Sequence, residues 1–118
     1  MTNRGNGIRY CKDLNEIKPI VKKKETHPNG TLKTFLIQSY IDRPLLYKGR
    51  KFDIRHYIMI SSINGKLRGY FYQGGYIRTT SYKYRLDDNS PAVHLTNDAV
   101  QKYCKDYGRY EKGNKLSY

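Results

Sequence analysis

Residues 51–81 read KFDIRHYIMISSINGKLRGYFYQGGYIRTTS, and this stretch decides the fold class. Side chains of different character alternate from Lys51 to Ile63, which is the two-residue period of a β-strand with two distinct faces. Asn64-Gly65 is a pair favoured in a type I′ hairpin turn, and Gly74-Gly75 marks a second turn. The stretch therefore predicts an antiparallel three-strand meander over about residues 51–81, with strands Lys51–Ile63, Lys66–Gln73 and Tyr76–Ser81.

The predicted elements upstream of the meander are short. An apolar run over Phe35–Ile41 predicts a further strand, and residues 8–11 predict a shorter one. Asp13 can cap a turn or helical fragment over residues 13–17. The polar Lys22–Thr34 segment between these elements predicts a surface loop.

Downstream of the meander the sequence is mostly polar. Residues 82–93 are rich in turn-forming residues, and Asn97 can cap a short helix that runs through residues 99–103. Residues 108–118 predict no regular element. The whole pattern predicts one domain of the α+β class, built mainly from antiparallel sheet with short helices.

The charge of the chain indicates an anionic partner. Its 118 residues include 23 Lys+Arg and 10 Asp+Glu, for a net charge of +13. A cationic surface attracts nucleic acid, anionic lipid, nucleotide phosphates or acidic peptides, and charge alone leaves these alternatives open. The 13 tyrosines are compatible with base stacking. Their suitability for half-buried strands is the commoner explanation.

Several classes of protein are not indicated by this sequence. No apolar run approaches the ~20 residues of a membrane span, and no secretory signal begins the chain. Cys11 and Cys104 lack the spacing of a zinc site or a disulfide framework. We therefore expect a soluble intracellular protein with reduced cysteines.

Lys51, Asp53 and Arg55 lie on one face of the longest predicted strand. Adjacent members of this row are ~7 Å apart and the outer two ~13 Å, a span comparable to that of an extended polyphosphate. A cation, a carboxylate and a guanidinium in one row suit phosphate and a hydrogen-bonded substrate. The alternative is a solvated strand face whose charges neutralise one another, and periodicity alone favours that alternative.

Two further segments suit anions, each with a plainer alternative. Gly5 and Gly7 lie in a glycine-rich stretch whose backbone N–H groups can approach phosphate, although a simple turn is commoner. His94-Leu95-Thr96-Asn97 ends at the predicted N-terminus of a helix, which favours an anion, although a helix cap is again commoner.

The amino-acid sequences of five segments, and the order in which they occur, are more specific than any single motif. They read TNRGNGI (2–8), QSYIDRPLL (38–46), GRKFDIR (49–55), YIR (76–78) and VHLTN (93–97). Together they resemble the tubulin tyrosine ligase-like family. The resemblance implies a partial ATP-grasp fold and an ATP-dependent carboxylate–amine ligase. Such an enzyme adds an amino acid to tubulin through an acyl phosphate on the acceptor carboxylate.

The resemblance also implies two groups of site residues. Within the first group, Gln38, Tyr40 and Ile41 would line the adenine pocket, and Gly5 and Gly7 would close over the phosphates. In the second group, Arg55 and Arg78 would hold the γ-phosphate or the acceptor carboxylate. His94, Thr96 and Asn97 would lie near the transferring phosphoryl group. The cofactor-binding group comprises Gly5, Gly7, Gln38, Tyr40, Ile41, Lys51 and Asp53. The catalytic group comprises Arg55, Arg78, His94, Thr96 and Asn97.

Some features of the family are not found in these residues. The Lys-Pro pair that precedes the glycine-rich loop has no counterpart, and the magnesium ligands are expected beyond Tyr118. We therefore assign no metal ligand within the chain. We expect residues 1–118 to be the central part of an ATP-grasp catalytic domain, incomplete at both ends and inactive alone.

The expected partners are tubulin or microtubules, bound through acidic C-terminal tails, together with ATP, a free amino acid and magnesium. No membrane partner is expected, and nucleic acid ranks last. Glutamate is favoured over glycine and tyrosine as the added amino acid, because acidic tails suit a cationic face. The expected location is the cytoplasm at the cytoskeleton, with the cilium or basal body as a specific site. The alternative is a non-catalytic basic module that binds tubulin tails or nucleic acid.

Overall fold

A computed structural model of the chain describes residue 5 and residues 7–117. The predicted α+β class is confirmed, because the described residues form mostly antiparallel sheet with short helices, consistent with part of an ATP-grasp fold. In chain order the elements are α1 (Leu14–Lys22), β1 (Leu46–Tyr47), β2 (Arg50–Arg55), β3 (Ile58–Ile63), β4 (Lys66–Phe71), β5 (Tyr76–Lys83), α2 (Pro91–His94), α3 (Asp98–Gln101) and β6 (Lys115–Ser117).

The larger sheet has four strands in the order β1-β2-β5-β6, and every neighbouring pair is antiparallel. Asp53 of β2 lies opposite Arg78 of β5, which in turn lies opposite Lys115 of β6. The register between β2 and β5 shifts between Arg50 and Phe52. The shift lies at the start of β2, where buried and half-buried side chains follow one another.

The smaller sheet is the hairpin of β3 and β4. Its turn is Asn64-Gly65, and both residues have positive φ, 50° and 74°. These angles are those of the type I′ turn predicted from the sequence. Side chains on both faces of the hairpin are exposed, Ile60 at 73% and Leu67 at 75% on one face and Ile63 at 64% on the other.

The strand order of the predicted meander is wrong, although its antiparallel character is confirmed. β5 pairs with β2 and not with β4, and the predicted strand Lys51–Ile63 is interrupted at His56-Tyr57. The Tyr72 N–H donates to the Tyr57 carbonyl at 3.0 Å, which continues the pairing between the two sheets. The chain from β2 to β5 is thus one long bent hairpin. Gly74-Gly75 belongs to an irregular stretch of one arm and does not reverse the chain.

Two predicted upstream strands are also wrong. Residues 8–11 and Phe35–Ile41 form no strand in the structure. Leu36 is 90% exposed, so the apolar run finds no sheet partner among the described residues. An apolar run forms a strand only where another strand supplies hydrogen bonds.

The helical predictions are partly correct. The Asp13 carboxylate accepts from the N–H groups of Asn15 at 2.7 Å and Glu16 at 3.1 Å, as expected for a cap, but α1 continues to Lys22. α3 begins after Asn97 as predicted, although the Asn97 side chain makes no capping hydrogen bond.

Helix α2 and strand β6 were not predicted. The Ser90 hydroxyl accepts from the Ala92 N–H at 3.3 Å, and Pro91 occupies the first turn of α2. Serine followed by proline is a helix-start signal that the turn-rich composition of this segment concealed. β6 has only three residues, and its pairing with β5 depends on sequence-distant contacts.

The interior is held by hydrogen bonds more than by apolar packing. Among the described residues Val93 is the one buried hydrophobic side chain. The fully buried Gln101 accepts from the Ser81 N–H at 2.7 Å and donates to the carbonyls of Ala92 at 2.9 Å and Leu95 at 2.6 Å. Gln101 therefore links β5 to both α2 and the start of the α2–α3 connection.

A buried asparagine extends this polar interior. Asn114 Nδ2 donates to the Thr96 carbonyl at 2.7 Å and to the Thr79 carbonyl at 3.3 Å. These bonds fix the segment that carries the HLTN motif against β5. No helix in the described part of the chain has the length and apolar character that crossing a membrane requires.

Candidate functional site

The candidate site lies beside β2, where Lys51 faces away from its neighbour Arg50 because side chains alternate along a strand. The Lys51 ammonium donates to the Tyr40 hydroxyl at 2.8 Å and stands 4.3 Å from the centre of the Tyr40 ring. The side chain is half-buried. Burial lowers the pKa of the Lys51 ammonium, and the charge of Asp53 acts in the opposite direction.

Tyr40 also contacts His94, at the C-terminal end of α2. The Tyr40 hydroxyl lies 2.8 Å from His94 Nδ1, and the ring of Tyr10 stacks on the imidazole with centroids 4.2 Å apart. His94 is only 2% exposed. Burial raises the pKa of the Tyr40 hydroxyl, so this group stays protonated at neutral pH. Tyr40, Lys51 and His94 form what we name the Lys51 cluster.

Asp53 and Arg78 form an ion pair across β2 and β5. Arg78 Nε donates to Asp53 Oδ1 at 2.9 Å, and Arg78 Nη2 donates to Asp53 Oδ2. The hydrogen bonds to Asp53 raise the pKa of the Arg78 guanidinium. The side chains of Arg78 and Asp53 are 19% and 39% exposed, so the pair is open to solvent at one side. A guanidinium in this setting can also bind a phosphate or a second carboxylate.

Gly5, from the glycine-rich segment, lies against Asn97 of the HLTN motif. Gly5 has a φ of +86°, and a Cβ at this position would stand 3.1 Å from both Cγ and Oδ1 of Asn97. The Asn97 carbonyl accepts from the N–H groups of Val100 and Gln101 as α3 begins. Both the backbone conformation and the close approach favour glycine at residue 5.

The opposite face of β2 carries a buried ion pair that the sequence analysis missed. Arg50 and Glu111 have side chains only 4% and 6% exposed. Arg50 Nη1 donates to Glu111 Oε2 at 2.9 Å, to Thr79 Oγ1 at 3.2 Å and to the Thr80 carbonyl at 3.1 Å, while Nη2 donates to Glu111 Oε1. The Tyr110 ring lies 4.5 Å from the guanidinium carbon. This pair anchors the strand that presents Lys51.

Because side chains alternate along a strand, Arg50 lies on the opposite face of β2 from Lys51. This alternation could have indicated the buried Arg50–Glu111 pair. A charged side chain on the inner face of a strand requires a buried partner. The partner itself, Glu111, is 61 residues away and carries no local mark.

Residues 1–118 match the tubulin-tyrosine ligase family over the whole chain. The chain belongs to this family. The resemblance noted in the sequence is thereby confirmed.

The relatives that this chain resembles include tubulin glycylases. It is 39% identical over 105 residues to tubulin glycylase 3B of Tetrahymena thermophila, covering 88% of this chain and 8% of that protein. It is 35% identical over 103 residues to tubulin glycylase 3B of Drosophila melanogaster, covering 87% and 13%. It is 40% identical over 84 residues to protein monoglycylase TTLL8 of Homo sapiens, covering 70% and 10%. The chain thus spans a small part of each relative.

The structure brings together some of the residues of the predicted site. Tyr40, Lys51 and His94 are in contact, and Asp53 is paired with Arg78. Gly5 lies against Asn97. The roles of all these residues stay predictions.

The remaining predicted residues lie farther out or point elsewhere. Gln38 and Ile41 are exposed, and within the described residues no hydrogen bond or ring contact joins them to the Lys51 cluster. Gly7 is exposed with a φ of +79°. Arg55 is exposed beside the Tyr57 ring at 5.7 Å. Thr96 is buried, and its carbonyl accepts from Asn114.

We assign no magnesium site among the described residues. They contain no group of three or more His, Cys, Asp or Glu side chains able to hold a metal ion. Asp53, the carboxylate of the predicted row, has both oxygens bound by Arg78. We therefore describe Asp53 as the partner of Arg78 and assign it no metal.

Proposed function

We propose that this protein is an ATP-dependent ligase that joins glycine to glutamate side chains in the acidic tails of tubulin. The observation that carries the proposal is the juxtaposition, on one face of β2, of the Lys51 cluster and the Asp53–Arg78 pair. This face offers the half-buried Lys51 ammonium and, on the neighbouring strand β5, the partly open Arg78 guanidinium, which is paired with Asp53 two residues after Lys51. Such groups suit a phosphate and a carboxylate that must meet.

The reaction needs two steps. The acceptor carboxylate attacks the γ-phosphorus of ATP, which forms an acyl phosphate and releases ADP. The glycine amine then attacks the acyl carbon, loses a proton and displaces inorganic phosphate, leaving an amide. Lys51 would bind transferring phosphate oxygens, and Arg78 with Arg55 would orient the acceptor carboxylate or the γ-phosphate.

The amino acid in this proposal differs from the one favoured by charge. The cationic face accounts for an acidic acceptor but carries no information about the donor, so the preference for glutamate had a weak basis. Relatives in three organisms are named glycylases or monoglycylases. Their names support glycine as the donor. The cytoskeleton is the location that a tubulin substrate would require, and the cilium or basal body stays a prediction.

The first prediction tests this function directly. The full-length protein, incubated with ATP and tubulin, should incorporate labelled glycine into tubulin and should incorporate little glutamate or tyrosine. Tubulin whose C-terminal tails have been removed by limited proteolysis should accept no label, because the acceptor carboxylates are then absent. ATP-dependent incorporation of glutamate would contradict the donor. An absence of any transfer would contradict the ligase proposal.

The alternative of a basic binding module is favoured by the net charge of +13. It predicts tubulin or nucleic-acid binding that falls steeply with salt, because counterion release dominates such binding. It also predicts that Lys51→Ala and Arg55→Ala weaken binding no more than alanine changes at residues 22–24. Saturable ATP binding that depends on Lys51 and changes little with salt would favour the ligase.

The second prediction concerns Gly5→Ala. A Cβ at residue 5 is strained at positive φ by roughly 1–2 kcal/mol and stands 3.1 Å from Asn97 atoms. We expect the loop to shift and the KM for ATP to rise several-fold. The matched control is Gly30→Ala, which has the same strain at a φ of +81° but no atom within 4 Å of the added Cβ. Equal effects of the two variants on KM would contradict a role for the Gly5 contact.

A further inference from the structure

A continuous chain of hydrogen bonds runs from Lys51 to the backbone of residue 88. The Lys51 ammonium donates to the Tyr40 oxygen at 2.8 Å, and the same oxygen lies 2.8 Å from His94 Nδ1. The other imidazole nitrogen, Nε2, contacts the Asp88 carbonyl oxygen. The three side chains come from three separate parts of the sequence.

Donor and acceptor chemistry gives this chain one direction. A carbonyl oxygen can only accept, so His94 Nε2 carries the proton that it shares with Asp88. We assign the tautomer that carries its ring proton on Nε2. Nδ1 of a neutral ring with a protonated Nε2 is an acceptor, and the Tyr40 O–H donates to it.

Once its proton is committed to His94, the Tyr40 oxygen has only lone pairs to offer Lys51. It therefore accepts from the Lys51 ammonium. The Tyr40 ring is held in place by the edge of Tyr10, with centroids 4.8 Å apart, and by His94 at 5.4 Å. Its position does not depend on a single hydrogen bond.

We infer that Tyr40 is a positioning residue that holds the Lys51 ammonium in place for a phosphate of ATP, with His94 and the Asp88 carbonyl fixing the Tyr40 hydroxyl. This inference rests on the proposed function, in which Lys51 binds phosphate. A lysine side chain has four flexible carbons and loses much rotamer freedom when it binds. Tyr40 restricts that freedom before ATP arrives, so binding orders less of the side chain.

The third prediction is the effect of Tyr40→Phe in the full-length protein. The ring and its packing remain, but Lys51 no longer has its acceptor and His94 no longer has its donor. We expect the KM for ATP, and the Kd of a non-hydrolysable ATP analogue, to rise about tenfold, since one charge-assisted hydrogen bond is removed. The kcat should change little, because Lys51 contacts phosphate in both the ground state and the transition state.

A matched control is Tyr82→Phe. This change removes a tyrosine hydroxyl that accepts from the Lys105 N–H at 3.2 Å and that makes no hydrogen bond to the Lys51 cluster among the described residues. It should leave the KM and Kd unchanged. A double-mutant cycle adds a readout that a merely structural role would not move. If Tyr40 acts through Lys51, Tyr40→Phe should have little further effect on analogue binding in a Lys51→Met background.

The outcomes separate the inference from the proposed function. Wild-type affinity in Tyr40→Phe, or equal losses in the wild-type and Lys51→Met backgrounds, would overturn the inference. A wild-type protein that binds the analogue but transfers no glycine overturns the proposed donor or reaction, and the Kd comparison still decides the role of Tyr40. A wild-type protein that binds no ATP analogue overturns both.

Discussion

Replacement of Arg50 by alanine is expected to lower the free energy of unfolding by about 3–5 kcal/mol, the usual cost of removing one partner from a buried ion pair. The variant leaves the Glu111 carboxylate buried, with the Thr79 hydroxyl at 3.1 Å as its remaining partner. It also removes the donor to the Thr80 carbonyl and the cation beside the Tyr110 ring. Urea and thermal unfolding of the full-length protein would measure the loss.

The matched control is Arg85→Ala. Arg85 also pairs with a carboxylate, that of Asp87, but both side chains are more than half exposed, at 67% and 69%. Exposed pairs contribute little because water solvates and screens their charges. We therefore expect almost no change in melting temperature. A loss in Arg50→Ala as small as that in Arg85→Ala would contradict the structural role of the buried pair.

Acid titration provides a second check on the same pair. Hydrogen bonds from Arg50 hold the pKa of Glu111 below its ordinary value of 4.5. The ionised carboxylate therefore stabilises the fold fully above that value, and the stabilisation is lost as pH falls through the lower folded-state pKa. The stability difference between the wild type and Glu111→Gln should be largest near neutral pH and shrink in acid. A difference that does not vary with pH would indicate that ionisation of Glu111 is unimportant.

Lys51→Met should reduce kcat/KM for ATP-dependent glycine transfer by about 100-fold or more. The change removes the ammonium proposed to bind phosphate and keeps an unbranched apolar stem of similar length. Removing a charged hydrogen bond to phosphate in a half-buried site costs roughly 3 kcal/mol, which corresponds to about two orders of magnitude in rate. Initial rates of labelled glycine incorporation at subsaturating ATP would measure the effect.

Lys22→Met is the control for the charge of Lys51. Lys22 is an exposed residue of the last turn of α1, and its replacement lowers the net charge by the same single unit. Activity that depends on general attraction between a basic protein and an acidic tail would fall equally in both variants. Only a loss specific to Lys51→Met supports phosphate binding at that position.

The features of the fold that were predicted correctly are those that depend on neighbouring residues alone. The type I′ turn follows from Asn64-Gly65, and the start of α1 follows from Asp13, because the neighbouring residues alone determine these conformations. The partner of β5 could not be predicted in this way. Alternation fixes which side chains share a face, but it does not show where a long hairpin bends or which segment supplies the next strand.

The same distinction between local and long-range determinants applies to the candidate site. The common face of Lys51 and Asp53 follows from the period of a strand, so the row could be predicted. The contact between Tyr40 and His94 joins residues 54 positions apart, and the sequence contains no local sign of it. The Gly5 contact with Asn97 likewise depends on how distant parts of the chain meet.

The neighbouring residues Arg50 and Lys51 give β2 an unusual sensitivity to changes in chain length. Arg50 is buried in its ion pair with Glu111, and Lys51 contacts Tyr40 on the other face of the strand. The register between β2 and β5 also shifts between Arg50 and Phe52. A one-residue insertion or deletion here would move each side chain to the other face of the strand, taking Arg50 away from Glu111 or Lys51 away from Tyr40. Variants of this strand should therefore tolerate many substitutions on its exposed end but no indel at its start, and designs that graft loops into the protein should avoid this point.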